Sequence, residues 1–256
     1  MLRLHLDRLS DITNAEGTAV HDRRLNVESN PARVLTVRNG SFSYKGTPVF
    51  SDLSLSLPPG EHLAIFGPSG SGKTTFIKAA QGLLPLDTGE IVLNDHLLCN
   101  ENQKMLADRI GSVMQEDQLL SGTILENITF RKPRPNFEKA TNCCKQVLLH
   151  DEIMAHPLSY DRKVYEMDPS LSSGQCQKLL LARALYREPT LLFLDEGTAH
   201  LDCKTAVDVM RNIRATRITC VYSTHMIECI PFGPRFWKLA IDGQCPRITS
   251  GLRIKL

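Results

Sequence analysis

The sequence predicts an α/β fold with a doubly wound parallel core sheet, and two observations lead to that prediction. Apolar runs of strand length, at residues 63–66, 191–194 and 218–223, alternate along the chain with segments of helical spacing. A glycine-rich turn follows the first of these strands and opens a helix, an arrangement typical of ligand sites in parallel sheets. The 256 residues suffice for one large domain or two small ones.

The glycine-rich turn fits G-x-x-x-x-G-K-[ST], the pattern of a phosphate-binding loop. With the helix residue that follows, it comprises Gly67, Pro68, Ser69, Gly70, Ser71, Gly72, Lys73, Thr74 and Thr75. Glycines let several N–H groups face one anion, and the helix N-terminus adds its positive dipole end. Lys73 places a charge near the β- and γ-phosphates, and the Thr74 hydroxyl is a ligand for Mg²⁺. A turn without a nucleotide is the alternative, but the strand and helix beside it favour the phosphate loop.

Two adjacent carboxylates, Asp195 and Glu196, follow the apolar strand at residues 191–194. Acids at the end of a buried strand are costly unless a cation or a proton transfer requires them. In a chain with a phosphate loop, Asp195 is placed to bind Mg²⁺ and Glu196 to polarise an attacking water. A strand followed by a polar turn would be the preferred interpretation without that loop.

A second turn with a helix after it lies at residues 171–175, and the helix is predicted over residues 175–186. Ser172 is a good N-cap for this helix. A Ser/Gly turn at a helix N-terminus is a further anion cradle, so the chain suggests a composite site. The candidate binding residues of this turn are Ser172, Ser173, Gly174 and Gln175.

These segments resemble the ATP-binding cassette (ABC) transporter ATPase family over about residues 34–243. Residues 171–175 resemble its signature motif, usually Leu-Ser-Gly-Gly-Gln. Four more motifs occur in the order of the family, namely an aromatic loop with Tyr44, a Q-loop with Gln115, a D-loop ending at Asp202 and a switch histidine, His225.

The resemblance implies the ABC cassette form of the P-loop NTPase fold: a parallel core sheet, a small antiparallel β layer and an inserted helical subdomain at about residues 117–174. The ATPase domain is expected over residues 31–256. In residues 1–10 leucines alternate with charged residues, and residues 11–30 are polar and are followed by Pro31. Residues 1–30 are expected to be a poorly ordered linker from a membrane domain, with an ordinary disordered tail as the alternative.

The resemblance also implies ATP and Mg²⁺ as cofactors, held in an ATP-dependent homodimer of cassettes. The metal ligands would be Thr74, Gln115 and Asp195, and the catalytic residues Glu196, His225 and Gln115. In the same dimer Tyr44 would stack on adenine, and residues 172–174 of the partner cassette would cap the γ-phosphate. Gln175 and Asp202 would be further nucleotide-binding residues.

Residues 113–128 resemble the exporter form of the Q-loop. Residues 117–122 and 195–202 resemble most those of bacteriocin exporters of the colicin V type, which combine a cysteine peptidase, a membrane domain and an ATPase. The expected function is ATP hydrolysis that powers export of a peptide or small protein through a membrane partner. The alternative is an ABC domain that binds ATP but is catalytically weak, either regulatory or a remnant. A phosphate-loop kinase or GTPase is a third possibility, against which the signature turn and His225 argue.

Composition sets limits on partners and location. The net charge of +2 gives no electrostatic case for nucleic acid. Charged or breaking residues interrupt the apolar runs well short of a membrane span, and the N-terminus is too charged for a signal peptide. We therefore expect a chain on the cytoplasmic side of the membrane, attached through a partner. The eight cysteines, without C-x-x-C spacing, are expected to be free thiols.

Local patterns predict further elements and some departures from the family. Strands of the antiparallel layer are predicted at residues 34–38, 49–57 and 61–66, and a further strand at 91–93, with 236–241 returning to small strands. A helix at residues 137–150 would place Phe137, Ala140, Cys144, Val147 and Leu148 on one side. The sequence departs from the family pattern at four positions. Glycines are replaced by Tyr165, Asp168 and Ser173, and an Arg is replaced by Lys178. A β-carbon at Ser173 is expected to strain the signature turn and slow hydrolysis.

Overall fold

The computed structural model describes residues 33–99, 106, 108–166, 169–225, 235–242 and 245–251, the last two ranges as backbone. The predicted linker at residues 1–30 and the departure at Asp168 lie outside these ranges.

A six-stranded sheet forms the centre of the fold. In spatial order its strands are β12 (Cys245–Gly251), β11 (Arg235–Asp242), β3 (His62–Phe66), β10 (Thr219–Thr224), β9 (Leu191–Leu194) and β6 (Ile110–Val113). Neighbours from β11 to β6 are parallel, and β12 pairs antiparallel with β11. Every residue of β9 and β10 is buried, as in strands covered on both faces. The predicted parallel core sheet is confirmed.

Two strands were predicted in the wrong sheet. Residues 61–66 and 236–241 were expected in the antiparallel layer, but β3 and β11 pair in parallel within the central sheet. In β3 the first four residues are all buried, without the alternation of a strand that has one wet face. Strand pairing is set by contacts distant in sequence, which local composition does not report.

A four-stranded antiparallel sheet forms the second layer, in the order β2-β1-β4-β5. Its strands are β1 (Leu35–Tyr44), β2 (Thr47–Leu57), β4 (Thr88–Leu93) and β5 (His96–Leu97). Along β2 buried and exposed residues alternate from Leu53 onward, since one face of the sheet packs inward. The predicted strands at residues 34–38, 49–57 and 91–93 lie in this sheet.

The helices are α1 (Lys73–Ala80), α2 (Ile124–Thr129), α3 (Phe137–Gln146), α4 (His150–Met154), α5 (Ser173–Tyr186) and α6 (Cys203–Ala215). Strand β7 (Gly122–Thr123) directly precedes α2 and pairs antiparallel with β8 (Lys163–Val164). A 3-10 turn at Ser159–Asp161 lies between α4 and β8. Within the described ranges, no helix combines the length and the apolar character needed to cross a bilayer.

The central sheet separates two apolar clusters. Alternate residues of β9, Leu192 and Leu194, pack with α2, α3, α5 and α6 in what we call the helix-side cluster. Leu191 and Phe193 pack on the other face, with α1 and the antiparallel sheet, in the α1-side cluster. This alternation follows from the side-chain period of two in a strand.

The helix predicted over residues 137–150 ends early. Helix α3 stops at Gln146, and Leu148 has a left-handed φ of 56° that breaks the helical path before α4. Ala140, Cys144 and Val147 are buried as predicted, whereas Phe137 and Leu148 are 53% and 42% exposed. The predicted apolar side is therefore wrong at its two ends. At Leu148 the reason is that the prediction assumed one unbroken helix.

The adjacent thiols of Cys143 and Cys144 are ordinary core groups. Burial raises the pKa of Cys143 to about 11 and that of Cys144 to about 12, so both stay protonated at neutral pH. The prediction of free thiols is wrong at Cys203, which is disulfide-bonded at the start of α6. Spacing along the chain does not reveal which thiols a fold brings into bonding distance.

His62, the first residue of β3, makes stability depend on pH. Its side chain is 2% exposed, and burial, with the nearby charge of Arg214, lowers its pKa from 6.5 to about 4. Below pH 6.5 the unfolded chain binds a proton that the folded chain resists, so stability falls until the pH reaches the folded value near 4. That difference in pKa corresponds to about 3 kcal/mol.

We expect His62→Leu to reduce this acid sensitivity. The free energy of urea unfolding, measured from pH 8 to pH 4, should fall by about 3 kcal/mol less in the variant than in the wild type. Parallel curves for the two proteins would show that His62 is not the responsible group.

Candidate active site

The phosphate loop connects β3 to α1. Gly70 and Gly72 have left-handed φ values of 77° and 90°, which only glycine adopts without strain. Helix α1 begins at Lys73, two residues before the helix predicted to start at Thr75. Its N-cap Gly72 leaves the first turn without a side-chain cap. The N–H groups of that turn are therefore oriented toward the loop as donors for an anion.

Lys73 lies inside this loop, with only 5% of the residue exposed. Its ammonium donates hydrogen bonds to the carbonyls of Gly67 at 2.8 Å and Pro68 at 2.9 Å. Burial lowers the pKa of Lys73, and the carboxylates of Glu196 and Asp195 partly oppose that shift. The charge is thus held near two acids that come from another strand.

The buried carboxylate of Asp195 follows β9 and is tied to the neighbouring strand β10. Its Oδ1 accepts a hydrogen bond of 2.8 Å from the Ser223 hydroxyl, which accepts one of 2.8 Å from the Glu196 N–H. Ser223 thus fixes both acids. Our sequence reasoning assigned it no role, although its place at the end of a parallel core strand is a signal for one.

Glu196 and His225 are brought together at the ends of β9 and β10. Glu196 has a left-handed φ of 55°, and its Oε1 is hydrogen-bonded to Nε2 of His225. Both strands are parallel, so their carboxyl ends meet at one edge of the sheet. The structure therefore places the two predicted catalytic groups in contact, although 29 positions separate them in the sequence.

The oxygen atoms around Asp195 suit a hard cation. Asp195 Oδ2 and Ser71 Oγ are buried and have no hydrogen-bond partner among the described residues. Such orphaned atoms are costly unless a ligand satisfies them. The other predicted ligands are Thr74, which is half-buried in the first turn of α1, and Gln115, which is exposed. Their side chains carry oxygen donors of the kind Mg²⁺ prefers.

A cavity of about 640 Å³ lies between the Q-loop, the start of α5 and the turn that follows β9. Gln115, Ser173, Gln177, Glu196 and His200 are among its lining residues. Gln115 is exposed, so its side chain is accessible from this cavity.

The signature turn is held by its own capping box. Ser172 Oγ accepts a hydrogen bond of 3.1 Å from the Gln175 N–H, and Gln175 Oε1 accepts one of 3.0 Å from the Ser172 N–H. The Gln175 amide also donates to Glu152 on α4 at 2.8 Å. The predicted N-cap is confirmed, and α5 begins at Ser173, two residues earlier than predicted.

Ser173 is not strained. It occupies the first helical position of α5 and is absent from the residues with positive φ, so a β-carbon costs nothing in backbone angle there. The expectation of a strained, slowed signature turn is therefore wrong in its physical reason. The backbone of α5 comes close to another segment at Gly174 instead, where an added Cβ would lie 3.2 Å from the His200 carbonyl oxygen.

Lys178 shares the Glu152 carboxylate with Gln175 of the signature turn. Its ammonium donates to the Leu148 carbonyl at 3.2 Å and forms an ion pair with Glu152, within the helical segment. The substitution of Lys for Arg at this position thus affects the contact of α5 with α4. Tyr165, which replaces a family glycine, is 57% exposed.

Two further candidates lie on the surface. The Tyr44 ring, at the end of β1, is 65% exposed and has the Lys45 ammonium 5.8 Å from its centroid. A flat, accessible ring of this kind can stack on a base. Asp202 caps α6 by accepting a 3.0 Å hydrogen bond from the Thr205 N–H, and its bonds with Thr205 lower its pKa.

The loop, the paired acids and the capped second turn together define an ATP-binding cassette. The family described as "ABC transporter" matches residues 50–199, which is more than half of the chain. The chain belongs to the ABC transporter family, whose cassettes are ATPases.

Three similar proteins come from Escherichia coli. The chain is 35% identical over 237 residues to the colicin V secretion/processing ATP-binding protein CvaB, which covers 88% of this chain. It is 36% identical to the probable microcin-H47 secretion/processing protein MchF, also over 88% of the chain. It is 34% identical to the alpha-hemolysin translocation protein HlyB over 82% of the chain. These matches cover 32%, 32% and 30% of the relatives, so the chain spans about a third of their length.

A solved structure of a bacterial Atm1-family ABC exporter with ATP bound has the same fold. The TM-score is 0.78 at 24% identity, and the match covers 93% of this chain and 42% of that one. The predicted ABC cassette fold is confirmed by this likeness.

Proposed function

We propose that this chain is the ATP-hydrolysing cassette of an exporter that secretes a peptide or small protein of the bacteriocin type. The observation that carries the proposal is the contact of Glu196 with His225, beside the phosphate loop. A carboxylate in that position can take a proton from water, and the loop supplies the anion site next to it.

Binding would depend on the loop between β3 and α1. Lys73 and the first-turn N–H groups of α1 neutralise the phosphates, while Tyr44 stacks on the adenine ring. Thr74, Asp195 and Gln115 would hold Mg²⁺, which neutralises charge on the β- and γ-phosphates when bound. Ser223 keeps Asp195 aimed inward, because its hydroxyl donates to one carboxylate oxygen and leaves the other available.

Hydrolysis would depend on Glu196 as general base. Its main chain is fixed by Ser223 and its carboxylate by His225, so the proton acceptor has one orientation. His225 would hold the water and the γ-phosphate in line, and Gln115 would orient the water from the Q-loop.

A second copy of the cassette would complete each site. The first turn of α5 ends in N–H groups that face outward, with Ser172, Ser173, Gly174 and Gln175 around them. Presented to the nucleotide of a partner cassette, they would supply a second positive helix end, with the D-loop and Asp202 beside it. ATP then links two surfaces that otherwise lack a counter-charge.

The exporter assignment is supported by the relatives, which are named for secretion of colicin V, microcin H47 and hemolysin. By analogy, residues 31–256 form the cassette, with a helical subdomain at about residues 117–174 and a junction to a membrane domain at residues 1–30. The cassette would then act on the cytoplasmic side of the membrane, attached through a transmembrane partner, where ATP is available.

The catalytically weak alternative is not favoured. It rested mainly on the strain expected at Ser173, whereas that residue has an ordinary helical conformation. The structure also contains the Glu196–His225 contact that a remnant domain would have no need to keep.

The proposal predicts that ATP hydrolysis depends steeply on protein concentration. Because two cassettes complete each site, specific activity should rise with concentration from the nanomolar to the micromolar range, and light scattering without nucleotide should show a monomer. Phosphate release and light scattering test this. Specific activity that is independent of concentration, from a stable monomer, would contradict the composite site.

For the exporter role, residues 31–256 should restore colicin V secretion when they replace the matching part of CvaB.

A further inference from the structure

The turn that follows β9 carries two functional segments within the seven residues 196–202. Glu196 begins the turn, and the D-loop at residues 199–202 ends it. The turn is closed by hydrogen bonds from the Ala199 N–H to the Glu196 carbonyl at 2.9 Å and from the Leu201 N–H to the Thr198 carbonyl at 3.1 Å. The left-handed φ of 55° at Glu196 is unfavourable for a residue with a side chain. Such a conformation persists when surrounding contacts determine it.

Gln177, in the second turn of α5, supplies such contacts. Its Nε2 donates to the Glu196 carbonyl at 2.8 Å, and its Oε1 accepts from the His200 N–H at 2.7 Å. The residue is only 8% exposed, so both bonds are shielded from water. One amide therefore holds the main chain of the proposed base and the main chain of the D-loop.

The same end of α5 also touches the turn through Gly174. A Cβ built there would lie 3.2 Å from the His200 carbonyl, closer than most real contacts. The first two turns of α5 therefore contact this turn at two places, one through a side chain and one through the backbone. A shift of the signature end of α5 would therefore move the main chain both at Glu196 and within the D-loop.

We propose that Gln177 is a positioning residue that couples the signature turn to the catalytic carboxylate of its own chain. It makes the geometry of Glu196 depend on where the N-terminus of α5 lies. A partner nucleotide that orders Ser172, Ser173 and Gly174 thereby also orders Glu196, so the two sites of a dimer sense each other. This inference rests on the proposed function.

The first test is Gln177→Met, which keeps the shape of the side chain and removes both hydrogen bonds. We expect kcat for ATP hydrolysis to fall between about tenfold and 100-fold, since a small misplacement of a catalytic group has that effect. The KM for ATP and the ATP affinity of the monomer should change less than twofold, because Gln177 touches no nucleotide-holding group.

Gln81 provides a matched control. It is also 8% exposed, and its amide donates to the Ile77 carbonyl at 3.3 Å, at the end of α1. Gln81→Met makes the same chemical change in a similarly buried position and should retain the wild-type kcat. If Gln177→Met lowered the melting temperature but kept the wild-type kcat, Gln177 would be merely structural and the inference would be overturned.

The second test is Gln177→Glu, read as a pH profile. The ionised carboxylate accepts from the His200 N–H but cannot donate to the Glu196 carbonyl. Once protonated, the introduced carboxyl has one donor and one acceptor, as the amide has. The kcat of this variant relative to wild type should therefore rise several-fold between pH 8 and pH 6.

The pH profile is taken as a ratio because ionisable residues surround the site in both proteins: Gln177 contacts the main chains of Glu196 and His200, and Glu196 contacts His225. Gln177→Met should give a ratio that does not change with pH. A flat ratio for Gln177→Glu would overturn the inference even if both variants were slow. Failure of the proposed function gives a different result: the wild-type chain itself would hydrolyse no ATP. That result would refute the proposed function, on which the coupling rests.

Discussion

Glu196→Gln is expected to bind ATP and to lose nearly all turnover. The amide has the shape of the carboxylate and can still accept a hydrogen bond from His225, but it cannot take a proton from water. Loss of a general base lowers the rate by about 10²–10⁴-fold. Since hydrolysis no longer separates the two cassettes, the ATP-bound dimer should accumulate.

Phosphate release, nucleotide binding and gel filtration with ATP measure the three consequences in Glu196→Gln. Glu116→Gln is the matched control. Glu116 is an exposed acid that lines the same 640 Å³ cavity as Glu196, and it has no proposed role. It should hydrolyse ATP at the wild-type rate. Wild-type turnover in Glu196→Gln would mean that another group activates the water.

Lys73→Ala is expected to lower the affinity for ATP by about 10–100-fold. Hydrogen bonds to a charged group contribute about 1.5–3 kcal/mol each, and the buried position of Lys73 limits competition from water. Calorimetric titration with ATP measures the change directly.

Lys78→Ala is the control for Lys73→Ala. Lys78 lies in the last turn of the same helix, so its loss changes the net charge equally but leaves the phosphate loop intact. Its affinity for ATP should be within about twofold of wild type, since it is not in the first turn. Equal affinities of all three proteins would remove the basis for the phosphate-loop assignment.

Motifs local in sequence predicted much of this site. The phosphate loop and the Ser172 cap depend on a few adjacent residues, whose conformation and hydrogen bonds are largely local. The acids after β9 were likewise recognisable, because charge at the end of an apolar strand is unusual.

Roles that depend on tertiary contacts were missed or wrong. Ser223 and Gln177 gain their roles from neighbours 28 and 19 positions away, which local composition does not report. The placement of β3 and β11 depends equally on distant pairing. At Ser173 the family's glycine suggested an unusual backbone angle, whereas the capping box makes that position the first residue of a regular helix.

The separation of the two apolar clusters by the central sheet bears on how such a chain can evolve. Residues on opposite faces of β9 share no cluster, so substitutions in one are expected to add to those in the other with little interaction energy. Lineages can therefore remodel the side that bears α2, α3 and α4, while the layer behind the phosphate loop keeps its packing.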